Sequence, residues 1–372
     1  MADARQLGPA SRRVTLADVA RQAGVSRAAA SYVINGKPGV GPATRERVLA
    51  IAEELGFRPN RLARGLRQGH SKAIGLLLAD VSNPFYTEIA AGVLDAARSL
   101  DYKVFLSNTG DDSRQQAGEA HALVDHRCDG LVFTTLTSAD RRLLEQLIRH
   151  GVPFVQMIRR VPGIAADFVG VDDEAGGRAA GEHLLALGHR DIALVLGPQQ
   201  SSASRARAHG LCQALARRGI SVPPQRQAES PLTRDGGYRA ARRLFDVVPR
   251  PQAVACGNDV IALGVIDALI DVGLRVPADV AVIGYDDMSF ASSRLIELTT
   301  VRQPRHEMGA EAARLLVNRI CDPDALPCER IFPHQLVPRR TCGEDLHRSQ
   351  PRQPAADRSR PLGTAAVKRS RV

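Results

Sequence analysis

Residues 15–35 read TLADVARQAGVSRAAASYVIN, and this stretch decides the fold of the N-terminal part. Two short apolar-periodic segments flank Gly24-Val25. The first is Leu16, Val19, Ala20 and Ala23; the second is Val25, Ala29, Ala30, Val33 and Ile34. Spacings of three and four put each set on one face of a helix. Thr15 followed by Asp18 is a capping box ahead of the first segment, and Ser26 can cap the second. Two short helices joined by a tight Gly-containing turn make a helix-turn-helix, whose second helix can enter a major groove. The exposed face of that second helix carries Arg27, Ala28, Ser31 and Tyr32. Spacing alone serves equally a small helical hairpin in any all-α domain.

Outward from this pair, the charge is asymmetric. The 372 residues, enough for two or three domains, carry a net +10. Residues 1–70 hold 12 Lys+Arg against 5 Asp+Glu, and residues 343–372 hold 7 against 3, which leaves 71–342 at −1. A basic head on a near-neutral body points to a polyanion partner for the head; a solvated basic surface is the plainer alternative. After the loop Gly36–Gly41, Pro42 opens a third helix buried through Val48, Ile51 and Leu55 and ended by Gly56. The next segment, RPNRLARGLR at 58–67, sets four arginines around Leu62, Ala63 and Leu66. It is too short to hold as an isolated helix, and Gly65 costs roughly another 1 kcal/mol. It reads as a basic linker, or as a helix ordered only by a partner.

From Ala73 the pattern changes. Apolar runs at 74–78, 104–106, 131–133, 154–157, 169–171, 192–196, 253–256 and 280–283 alternate with helical stretches at 89–100, 115–126, 141–149, 176–187, 205–218 and 261–271. Such alternation with continuous apolar strands implies parallel sheets covered on both faces, here two in tandem. Ligands of open α/β folds bind beyond the carboxyl ends of the strands. The residues there (80–86, 199–207, 257–259 and 285–287) are polar and aromatic, which suits a polar small molecule. The ends, 1–13 and 343–372, have the composition of disordered segments, and the latter lacks the leucine heptads of a coiled coil.

Other classes are disfavoured. No secretory signal and no apolar run of membrane-spanning length is visible, so the expected compartment is the cytoplasm, without membrane contact. The six cysteines (128, 212, 256, 321, 328 and 342) lack paired spacing, so free thiols and no metal site are expected. Asp286-Asp287 invites an acid–base or metal reading. No P-loop, zinc motif or nucleophile elbow accompanies it, so no catalytic residue and no cofactor is expected.

The motifs in order resemble the LacI-type transcriptional repressors over about residues 14–341. The head carries DVARQAGVS, VING, TRERV and LGFRPNRLARGLR; the body carries IGLLLADVSNPFY, DGLV, GHRDIALV, ARAHG, NDVIALG, VAVIGYDD and LTTVRQP. The resemblance implies a disordered lead at 1–13, an all-α helix-turn-helix head at 14–57 and a hinge helix with linker at 58–70. An α/β periplasmic-binding-protein type I core of two parallel-sheet subdomains follows at 71–342, with crossovers near 170, 299 and 328, then a disordered basic tail. It further implies a homodimer on a pseudo-palindromic double-stranded operator, gated by an effector in the cleft between the subdomains.

Matching positions then acquire roles. Arg27, Ala28, Ser31 and Tyr32 fall on the base-reading face, where Tyr32 replaces an arginine that pairs with guanine in one member. Arg12, Arg13 and the surroundings of Asn35 and Thr44 suit phosphate contacts. Leu66, with Ala63 on the same face, matches the leucine that wedges into the minor groove. The cleft positions are Asp80, Phe85, Tyr86, Arg207, Asn258, Asp286 and Gln303. Leu232 stands where a purine-binding member stacks a phenylalanine, which favours a sugar over a purine. The expectation is a repressor of carbohydrate-utilisation genes released by a sugar. A purine-type corepressor is the alternative, and a transport solute-binding protein is the rival from another class.

Overall fold

A computed structural model of the chain describes residues 14–57 and 70–343. The lead, Arg12, Arg13, the 58–69 segment with Ala63 and Leu66, and the tail from 344 lie outside the described residues. The chain forms two compact units, Met1–Ser71 and Lys72–Val372.

In the first unit α1 (Leu16–Gln22), α2 (Arg27–Ile34) and α3 (Pro42–Glu54) share one small core. Val19, Ala20, Ala23, Ala30, Val33, Val48 and Ala52 are buried in it. Ile51 and Leu55, expected on the buried face of α3, are only partly buried, and Ala52 takes the inner position. Pro42 occupies the first turn of α3, where its missing N–H leaves nothing unpaired.

The second unit begins with β1 (Ala73–Leu78), α4 (Pro84–Ser99), β2 (Lys103–Asn108), α5 (Ser113–Asp125), β3 (Gly130–Phe133), α6 (Arg141–Arg149), β4 (Phe154–Met157) and β5 (Asp167–Val171). It continues with α7 (Asp173–Ala186), β6 (Ile192–Leu196), α8 (Ser202–Ala216), β7 (Gln227–Glu229), α9 (Arg234–Phe245), β8 (Ala253–Cys256), α10 (Asp259–Asp271) and β9 (Ala281–Ile283). It closes with β10 (Thr300–Arg302), α11 (Arg305–Cys321), β11 (Glu329–Phe332) and β12 (Gln335–Val337).

Two parallel sheets result, in the orders β11-β5-β4-β3-β1-β2 and β7-β6-β8-β9. The chain passes from the first to the second after β5, returns through α11 and β11, and crosses again to pair β12 antiparallel with β10. We call the parts around the two sheets the first and second subdomains. Strands β1, β3, β4 and β5 are buried along their whole length, as continuous apolar runs require. Strand β2 departs from that expectation. It is an edge strand, and Phe105 and Leu106 are about half exposed.

Six of the eight covering helices, all but α5 and α6, pack in pairs at backbone contact. A methyl group on Gly177 of α7 would collide with the Arg207 carbonyl of α8, and one on Gly210 of α8 with the Glu174 carbonyl of α7. The same reciprocal pattern joins α4 to α11 and α9 to α10. Only glycine permits these approaches.

Candidate DNA-reading and effector sites

In the head, Gly24 turns the chain between α1 and α2 at φ +64°, a left-handed conformation that other residues rarely adopt. Thr15 donates to Asp18 Oδ2 from its backbone N–H (2.9 Å) and its hydroxyl (2.6 Å). Ser26 Oγ accepts from the Ala29 N–H at 3.1 Å and fixes the start of α2. Arg27, Ala28 and Tyr32 are exposed on α2, while Ser31 is half-buried. The Lys37 ammonium lies 5.8 Å from the Tyr32 ring centroid. The Asn35 side-chain amide donates to the Ser31 carbonyl (2.7 Å) and hydroxyl (3.2 Å), so it closes the end of α2.

In the second unit a cavity of about 720 Å³ is bounded by both subdomains. Asp80, Asn83, Tyr86, Asn108 and Asp111 line it from the first; Gln200, Glu229, Leu232 and Thr233 line it from the second. Of the cleft positions inferred from sequence, Asp80 and Tyr86 therefore reach it directly. Phe85 does not: it is buried edge-on against Tyr86 (centroids 5.2 Å apart) in the core of the first subdomain. Asn258 is buried and caps α10, its Oδ1 accepting from the Ile261 N–H at 2.9 Å.

Arg207, Asp286 and Gln303 meet in one buried network. Arg207 Nε donates to Asp173 Oδ1 at 2.7 Å. Its Nη1 donates to Asp286 Oδ1 at 3.3 Å and to the Gly257 carbonyl at 3.1 Å. The guanidinium carbon lies 3.9 Å from the Tyr285 ring centroid, a cation–π contact. Gln303 Nε2 donates to Asp286 Oδ1 at 2.6 Å. Burial pushes the Asp286 carboxyl up to about 6, against the opposing pull of Arg207, Arg305 and the Gln303 amide. Burial also raises Asp173, with Arg207 pulling the other way. Arg207 itself is held charged: burial disfavours its charge, but Asp173 and Asp286 outweigh it. Tyr86 links cavity and network. Burial raises its phenol, and the charges of Arg159, Asp111, Asp286 and Arg207 all act on it.

A second buried guanidinium, Arg159, donates to both carboxylate oxygens of Asp111, at 2.5 and 3.1 Å. A third joins the subdomains. Arg305, at the start of α11, donates to the carbonyls of Asp286 and Asp287 and, from Nε, to Glu88 Oε2 of α4 at 2.9 Å. Those two aspartates are consecutive residues at positive φ (113° and 54°), so Arg305 stabilises a backbone turn that non-glycine residues resist. Arg302 and Arg339 each donate to the Asp287 carboxylate at 2.6 Å. Asp286-Asp287 is thus a node of ion pairs. Sequence reasoning missed Asp111, Arg159, Asp173, Glu229 and Arg305, because only three-dimensional proximity to the cleft singles them out.

Comparison with known proteins agrees with both parts. Residues 15–60 match the model described as bacterial regulatory proteins, lacI family. Residues 182–342 match a periplasmic binding protein-like domain. The ribose operon repressor of Escherichia coli (strain K12) is 36% identical over 311 residues, covering 83% of this chain and 94% of that protein. The chain belongs to the lacI family. As a lacI-family protein it is a DNA-binding transcriptional regulator, and the relatives are repressors rather than enzymes. The catabolite control protein A of Priestia megaterium is 34% identical, over 82% of this chain and 90% of its own. The lac repressor dimer bound to operator and the anti-inducer ONPF superimposes with a TM-score of 0.81 at 30% identity, over 89% of this chain and 99% of that one. A complex of the regulator CelR with cellobiose gives 0.67 at 34%, over 88% and 100%. No described helix of this lacI-family chain is long and apolar enough to cross a membrane.

Proposed function

We propose that the chain is a repressor whose hold on a pseudo-palindromic operator is released by a small polyhydroxyl effector, a sugar. The observation that carries this reading is the cavity bounded by both subdomains beside the Arg207–Asp286–Gln303 network. A molecule there contacts both halves at once, so it binds the closed and open arrangements differently, as any coupling to DNA requires. Arg27, Ala28, Ser31 and Tyr32 read base edges, and Asn35 steadies the end of that helix. Ala63 and Leu66 act at the minor groove. Asp80 and Tyr86 contact the effector from the first subdomain, and Arg207, Asp286 and Gln303 act on it from the second through their buried network, which meets the cavity at Tyr86. Asn258 holds the start of α10.

A homodimer is supported by apolar side chains left on two faces. Ile270 and Leu295 are 63% and 91% exposed in the second subdomain, and Phe105 and Leu106 lie on the β2 edge of the first. A purine reading has support in the relatives named PurR, for example 34% identity in Proteus mirabilis. Leu232, rather than an aromatic ring, on the cavity wall favours the sugar.

Fluorescence anisotropy on DNA upstream of the chain's own gene tests both ends. Arg27→Ala should lower operator affinity at least tenfold while changing affinity for random duplex far less. D-Ribose or cellobiose should release the wild-type chain. Tightening by guanine or hypoxanthine, with no response to sugars, would replace this reading with the corepressor one.

A further inference from the structure

The charge of the cleft bears directly on which small molecules it can take. Among the described residues no Lys, Arg or His lines the cavity, whereas three carboxylates do: Asp80, Asp111 and Glu229. Asp111 is neutralised, because both its oxygens hold the buried Arg159 guanidinium. Arg207 is likewise spent on Asp173 and Asp286. Asp80 Oδ1 accepts from the Ser82 N–H (2.8 Å) and hydroxyl (2.7 Å), and Glu229 Oε1 from the Gln199 N–H at 3.2 Å. These donors are neutral, so among the described residues no cation offsets either carboxylate, and one stands on each side of the cleft. The start of α4, which could otherwise hold an anion, is already capped by Asn83, whose Oδ1 accepts from the Phe85 N–H at 3.0 Å.

An anion entering this cleft meets two uncompensated negative charges and no free guanidinium or ammonium. Phosphate recognition needs such cations or open helix N-termini. Hydroxyl groups, in contrast, donate well to carboxylates. We propose that the cleft takes an uncharged polyhydroxyl compound and rejects the phosphate ester of the same sugar. This rests on the effector reading above and narrows it.

Calorimetric titration of the full chain tests it with D-ribose, D-glucose and cellobiose, with ribose 5-phosphate and glucose 6-phosphate, and with D-glucosamine as a cation. At least one uncharged sugar should bind, with its phosphate ester at least tenfold weaker in 20 mM salt. That ratio should shrink in 300 mM salt, because the unfavourable charges are solvent-reachable and screened. Glu229→Lys should narrow it at least threefold, and Asp80→Asn does the same service if the lysine variant misfolds. An ester binding as tightly as its parent sugar overturns the proposal and leaves the effector reading standing. A ratio indifferent to salt and to both variants overturns it too, since rejection is then steric. Glucosamine binding tenfold tighter than glucose reassigns the cleft to cations. Silence from every probe removes the sugar reading itself, and the proposal with it.

Discussion

Replacing Asp286 by asparagine separates what the buried network costs from what it does. Burial holds this carboxyl at about 6, against an ordinary value of 3.8. At about 1.4 kcal/mol for each pH unit, the ionised side chain is about 3 kcal/mol less favourable in the folded chain than in the unfolded one. Between pH 4 and 6 the folded chain holds a proton that the unfolded chain has released. Stability from this group therefore falls as pH rises through that window and is flat above it. Asparagine has the same shape, cannot ionise, and keeps an oxygen for the Gln303 amide and for Arg207. Asp286→Asn should thus be more stable than the parent at pH 7.5, by up to about 3 kcal/mol, with the gain gone below pH 4. Urea unfolding at fixed ionic strength, followed by tyrosine fluorescence, reads this; four of the five tyrosines lie beyond residue 71. A difference that stays constant from pH 4 to 8, or an asparagine variant less stable at pH 7.5, refutes the desolvation argument. The same variant should respond poorly to effector, so that stability rises while the switch is lost.

Gly177→Ala drives a methyl into the Arg207 carbonyl and should destabilise the second unit by about 1–3 kcal/mol, with effector affinity falling in the same samples by calorimetry. Ser26→Ala removes the cap of α2 and should cost the head about 1 kcal/mol, seen as a lower melting point of the first unit by circular dichroism. Arg305→Met removes a cation whose charge lowers the Asp286 pKa. It should move the pH window of the Asp286→Asn comparison upward, while Arg305→Lys moves it less.

Much of this architecture is legible in sequence because local rules and tertiary packing agree. The Thr15–Asp18 box, the Ser26 cap and Gly24 are short-range features, and all recur in the structure. Strands 154–157, 192–196 and 253–256 are bounded as their apolar runs suggest. Helices α9 and α11 escaped the reading. Gly236-Gly237 and a run of arginines obscure the periodicity of α9, although Thr233 caps it. In α11 the apolar stripe Met308, Ala312, Leu315 and Leu316 was available but follows a strand, β10, of only three residues. The cleft divides in the same way. Asp286 and Arg207 stand out by motif, while Arg159 and Asp173 matter only through neighbours 48 and 34 positions away, and Glu229 only across a cavity.

The reciprocal glycines have a mechanical consequence. Where two helices touch backbone to backbone, no side chain lies between them to change rotamer and absorb a displacement. Each pair, α4 with α11, α7 with α8 and α9 with α10, is a stiff plate. Compliance is then concentrated in the short stretches where the chain changes sheets, around Asp172, Gln303-Pro304 and Pro333-His334. At these crossings a displacement of one helix is passed directly to the backbone of its partner, so each pair is expected to move as a unit. A lever of this kind tolerates substitutions that tighten a plate and fails with those that soften one.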